Sequence, residues 1–122
     1  PPGTGTIWAT IRSNQAWHFT PGITDTLVEL NGSTEGAHCV IFEPPGAPVT
    51  LLPANAPLPQ GTVCGHYVFF DVPLGNHTIR VTRNDGTDRS CWPESAWGQH
   101  QDSRAAVRVE DGFVSRPVLA CE

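Results

Sequence analysis

The chain contains no lysine and no methionine. Its basic side chains are all arginines, at positions 12, 80, 83, 89, 104, 108 and 116, and the formal net charge is -5. Arg80, Arg83 and Arg89 form one loose cluster, interrupted by Asp85 and Asp88. Nucleic-acid binding draws on a basic stripe, so it is not expected here. No run of residues is apolar and long enough to span a bilayer, so no membrane insertion is expected. None joins a basic start to an apolar stretch as a secretory leader does. The missing methionine, with Pro1-Pro2 at the start, is what a processed mature chain or a domain of a longer chain would show.

The usual signatures of catalysis and metal binding are missing as well. His18, His38, His66, His77 and His100 are scattered, with no H-x-H, H-x-x-x-H or H-E-x-x-H spacing. They read as packing or surface histidines, and no metal or cofactor is expected. No G-x-S-x-G elbow surrounds a serine. Asp25, Glu29, Glu35 and Glu43 supply carboxylates, but nothing in their spacing faces two of them across a cleft. The expected function is therefore non-catalytic.

Four cysteines are present, Cys39, Cys64, Cys91 and Cys121, and none forms a C-x-x-C pair. An even number of widely spaced cysteines in a small, turn-rich chain reads as two disulfides, and so as a secreted or cell-surface protein. The expected pairing is Cys39–Cys64, which would staple the proline loop between them, with Cys91–Cys121. The other two pairings are Cys39–Cys91 with Cys64–Cys121, and Cys39–Cys121 with Cys64–Cys91. Two N-x-S/T sequons, Asn31-Gly32-Ser33 and Asn76-His77-Thr78, fall at expected turns and agree with that compartment.

The 122 residues suit one domain, 1–122, with one real core. Glycine and proline are abundant and charge is sparse, as in a fold of many short strands joined by turns. Strict alternation over residues 6–12 predicts a strand with Ile7, Ala9 and Ile11 in the core and Trp8 outside. Residues 1–4 read as a flexible lead-in. A second strand is expected over 23–30, a third over 38–42 and a short edge strand over 49–52. Residues 43–61 hold six prolines and read as a fixed surface loop.

Residues 62–71 and 76–82 read as two strands of a central hairpin. Tyr67 and Phe69 share its core face, and Val68 and Phe70 point the other way. In the second strand His77, Ile79 and Val81 face inward, while Thr78, Arg80 and Thr82 face out. Residues 83–104 look like an insertion loop holding Trp92 and Trp97, with a helical turn over 92–97. Strands over 105–110 and 113–121 complete a count of seven or eight, the pattern of an antiparallel β-sandwich.

The stretch Gly65-His66-Tyr67-Val68-Phe69-Phe70-Asp71-Val72-Pro73-Leu74-Gly75-Asn76-His77-Thr78-Ile79-Arg80-Val81 resembles the hallmark hairpin of carboxypeptidase regulatory-like domains. Gly5-Thr6-Ile7-Trp8-Ala9-Thr10-Ile11 and Thr26-Leu27-Val28-Glu29-Leu30 resemble two further strands of that family. His77 stands where the family usually carries tyrosine. The resemblance spans most of residues 5–82, returns weakly over 105–119 and leaves the insertion uncovered. It implies a transthyretin-like β-sandwich that serves as a structural, adhesive or sugar-binding part of an extracellular protein.

Large apolar side chains on the outer side of the sheet point to a contact surface for another protein chain, self-association included. Its candidates are Trp8, Val68, Phe70, Trp92 and Trp97. The reading is an adhesive or structural module, as a subunit of an extracellular assembly or fibre. The competing readings are carbohydrate binding through loop tryptophans and a stabilising domain of a larger secreted enzyme.

Overall fold

A computed structural model describes residues 3–13, 25–41, 50–53, 64–93 and 104–122. They form ten strands and no helix: β1 (Thr4–Ser13), β2 (Leu27–Leu30), β3 (His38–Ile41), β4 (Thr50–Pro53), β5 (His66–Pro73), β6 (Gly75–Thr82), β7 (Cys91–Pro93), β8 (Arg104–Val109), β9 (Val114–Ser115) and β10 (Val118–Cys121). The larger sheet runs β4-β3-β5-β1-β10-β7, with β9 also paired to β1, and the smaller runs β2-β6-β8. Among the described residues no helix is long and apolar enough to cross a membrane.

One core lies between the two sheets. Ile7, Ala9 and Ile11 of β1, Tyr67 and Phe69 of β5 and Leu119 of β10 meet Val28, Ile79, Val81, Val107 and Val109 of the smaller sheet. The alternation read in β1 is observed in full. Tyr67 also needs a partner for its hydroxyl, which donates to the Thr26 carbonyl oxygen at 3.2 Å. Burial of the ring raises the phenol pKa well above its usual value.

Both disulfides close at the edges of this core. Cys39 bonds Cys64, and Cys91 bonds Cys121. The first ties β3 to the lead-in of β5. The second joins register partners of β7 and β10 and holds a three-residue edge strand in the sheet.

Several expectations need correction. The central hairpin is not a hairpin within one sheet. β5 pairs with β1 and β3, whereas β6 pairs with β2 and β8, so the chain passes from one sheet to the other between them. Pro73 ends β5 because it has no N–H to donate, and Gly75, at φ 115°, turns the chain across. Just before that corner a bulge re-aims β5. Ile7 pairs with Phe69 and Gly5 with Val72, so Phe70 and Asp71 together oppose Thr6. Asp71 takes the left-handed conformation, φ 54°. The extra residue lets Val72 point into the core, where unbroken alternation would turn it out.

The sheet is not purely antiparallel. The C-terminal run lies parallel to β1 along its whole length, and buried Pro117 divides it into β9 and β10. That division helps to raise the strand count to ten. Thr4 belongs to β1 and pairs with Pro73, so the lead-in ends sooner than expected. β2 starts only at Leu27, because Asp25 is left-handed at φ 55° and its carboxylate accepts the Asn84 N–H at 2.8 Å.

The region 83–104 is not one loop, since Trp92 and Pro93 form part of β7 and Arg104 opens β8. The rest of the expected helical turn, with Trp97, lies outside the described residues, as does most of the proline loop. Thr82 is buried rather than outward. Arg89, read as part of a loose arginine cluster, is only 8 % exposed. Its guanidinium donates to the Glu122 carbonyl oxygen at 2.7 Å and the Asp25 carbonyl oxygen at 2.9 Å, tying the C-terminus to the start of β2.

Candidate interaction surface

The outer face of the larger sheet carries the residues proposed for contact. Trp8 of β1, Val68 of β5 and His38 of β3 stand in one row across the sheet. His66 and Phe70 lie two residues either side of Val68 on its own strand and share its face. Trp8 and His66 have ring centroids 5.7 Å apart, and so do His38 and Phe70.

Val68 therefore sits between two ring pairs and is 1 % exposed. This corrects its assignment as a contact residue. Four larger side chains on the same face ring this small one. Phe70, at the end of the row by the bulge, remains 49 % exposed. Trp8 is half-buried, with the Arg116 guanidinium 5.5 Å from its ring centroid.

The Trp8 indole N–H donates to His66 Nδ1 at 3.0 Å, and the Thr10 hydroxyl lies 3.1 Å from the same nitrogen. Accepting the indole proton requires a lone pair on Nδ1, so the imidazole is neutral with its proton on Nε2. Burial first, then the positive charge of Arg116, lowers the His66 pKa below its usual 6.5.

Leu51, Leu74, Phe113 and Val114 are exposed apolar residues that were not among the sequence candidates. Phe113 is 68 % exposed and its neighbour Val114 is half exposed. Val114 pairs with Thr6, and Thr6 opposes Phe70 on its other side, so the exposed Val114 and Phe70 flank half-buried Thr6. Beside them an open groove of about 480 Å³ is lined by Thr4, Gly5, Thr6, Asp71, Asp111, Gly112, Phe113 and Val114. Adjacent apolar residues directly after the Asp111-Gly112 turn were the available signal. Reading them as the start of one long strand hid their exposure.

Trp92 is 38 % exposed on the edge strand β7 rather than in a loop, away from the Phe70 row. On the edge strand β4, Thr50, Leu51 and Pro53 are exposed. Among the described residues no three His, Cys, Asp or Glu side chains gather into a metal-sized group. No protein-family model, curated protein or solved structure matches the chain.

Proposed function

We propose that this chain is a non-catalytic structural or adhesive module of the transthyretin-like, carboxypeptidase regulatory-like kind. It works outside the cell and docks another protein chain on the outer face of its larger sheet. The observation that carries this reading is the pair of exposed apolar residues Phe70 and Val114 on either side of Thr6, with exposed Phe113 next to Val114 in the chain. Apolar side chains gathered on one face and open to solvent lose water when a partner covers them. Two disulfides agree with an oxidising compartment. They also limit the freedom that docking would cost. Support for the family type comes from the G-x-Y-x-F-x-D-V-P stretch, whose Asp and Pro have definite work here: one takes the left-handed bulge position and the other ends the strand.

Light scattering of the purified chain over a range of concentrations tests the reading. Association that Phe70→Asp and Phe113→Ser abolish, with the fold intact, supports it. A protein that stays monomeric and captures no partner chain from its source overturns it.

The second reading is carbohydrate binding, and the groove gives it a specific basis. An exposed aromatic ring, Phe113, stands beside two carboxylates, Asp71 and Asp111, in an open cleft of sugar size. Glycan-array binding that Phe113→Ala removes from a monomeric protein would place this reading first.

A further inference from the structure

The two sequons occupy very different surroundings, although their sequences look equivalent. In Asn31-Gly32-Ser33 both recognition side chains are engaged. Asn31 Oδ1 accepts the Thr78 N–H at 3.0 Å, and its Nδ2 donates to His77 Nδ1 at 2.8 Å. His77 Nε2 in turn donates to the Pro73 carbonyl oxygen at 2.6 Å. The Asn31 backbone N–H donates to the Thr78 carbonyl oxygen at 2.8 Å, and Asn31 itself is left-handed at φ 52°. The Ser33 hydroxyl accepts the Glu35 N–H at 3.0 Å. Asn31 is thus a structural amide that clamps the β2 turn onto β6 and the sheet-to-sheet corner.

In Asn76-His77-Thr78 the recognition side chains are two residues apart on β6 and share the outer face of the smaller sheet. Both are exposed, while the intervening His77 turns to the other side. A sugar chain on Asn76 would project into solvent and break none of the bonds described. One on Asn31 would replace a proton of the amide nitrogen that holds His77.

We propose that Asn76, and not Asn31, carries an N-linked glycan, with the extracellular reading as its premise. The donor is a lipid-diphosphate-linked oligosaccharide. A bond forms between the Asn76 amide nitrogen and the anomeric carbon. The bond from that carbon to the phosphate oxygen breaks, the lipid diphosphate leaves, and the amide gives up one proton to the transferase. β6 is hydrogen-bonded on both sides, so transfer precedes folding and the fold then decides which modified chain is stable.

The test is expression behind a secretion signal in a eukaryotic host that attaches N-glycans. Enzymatic release in heavy-oxygen water converts the carrier asparagine into labelled aspartate, which peptide mass mapping locates in both the secreted and the retained pools. In the secreted pool label at Asn76 alone is expected, with any Asn31 label confined to the retained pool, and the glycan mass of the secreted protein is lost in Asn76→Gln and kept in Asn31→Gln. Asn31→Gln is expected to lower Tm by several degrees even in unglycosylated protein, whereas Asn76→Gln leaves it unchanged. Label at Asn31 in the secreted pool, or no label there at either site, overturns the proposal. Light scattering and partner capture read association independently, so a glycosylated chain that stays monomeric and captures no partner would end the assembly reading and leave this one standing.

Discussion

Trp8 donates its indole N–H to Nδ1 of His66, so the outer face of the larger sheet is built around a neutral imidazole. Protonating Nδ1 removes the lone pair that faces Trp8 and Thr10 and places a second positive charge near Arg116. The folded-state pKa lies below the unfolded value near 6.5, so the unfolded chain binds the proton more readily. The contribution of His66 is then complete above that value and is lost as pH falls through it towards the folded pKa. Urea unfolding at pH 7.5 and pH 5 should show a lower midpoint at pH 5, with part of the difference removed in His66→Asn. An unchanged difference in that variant would assign the pH effect to other groups.

The bulge at the end of β5 depends on two backbone positions. A Cβ on Gly5 would lie 2.6 Å from the Glu110 carbonyl oxygen and 2.7 Å from Val109 Cγ1. The first neighbour is main chain and cannot turn aside, so Gly5→Ala should destabilise by about 2–3 kcal/mol. Asp71 sits at φ 54°, where a β-branched residue is strained. Asp71→Val should cost about 1–2 kcal/mol, and Asp71→Gly should be neutral or stabilising. Chemical denaturation of the three variants checks the ordering. Equal losses for Asp71→Val and Asp71→Gly would show that the carboxylate matters rather than the conformation.

How far the fold could be read from the sequence follows from which signals are local. Alternation in residues 6–12 needs only one buried face, and Ile7, Ala9 and Ile11 supplied it. The parity of Tyr67 and Phe69 was legible for the same reason, and the cysteine pairing followed from which strands flank the proline loop. The corner after Pro73 was not legible, because Pro-Leu-Gly-Asn has the turn chemistry of a hairpin whether the chain returns to the same sheet or crosses to another. The bulge hid Val72, since one inserted residue breaks a two-residue period without marking the place. The cover over Val68 comes from its neighbours on β1 and β3, Trp8 and His38, which no reading of β5 alone contains. The burial of Arg89 was not legible because the carbonyl oxygens that hold it belong to Asp25 and Glu122, both distant in sequence.

The two disulfides should be separable by what their loss releases. Their sequence separations are 25 and 30, so the chain-entropy model gives each about 3–4 kcal/mol. Replacing Cys39 and Cys64 by serine should lower stability by that amount with the β7 edge intact. Replacing Cys91 and Cys121 should in addition free β7, a three-residue strand that pairs with β10 alone among the described strands. Amide exchange measures this directly: protection at β10 should fall only in the second pair of substitutions. Loss of β10 protection in both would mean that the edges unfold together with the whole sandwich.

Val68 and Phe70 provide the sharpest test of the contact surface, because they share a strand and a face but not an environment. Val68 is enclosed by the Trp8–His66 and His38–Phe70 ring pairs. A carboxylate there loses its water in a position closed by rings, so Val68→Asp should cost about 3–5 kcal/mol, the scale of a buried charge. Phe70 already meets solvent with half of its surface. Phe70→Asp should therefore keep the fold within about 1 kcal/mol of the parent, as surface substitutions do. If the outer face docks another chain, Phe70→Asp and Phe113→Ser should yield folded, disulfide-bonded monomers from a parent that associates. Light scattering joined to circular dichroism reads both properties in one sample. A Phe70→Asp protein that associates as strongly as the parent would remove this face from the contact and direct attention to the exposed edge at β4, where Leu51 is open to solvent.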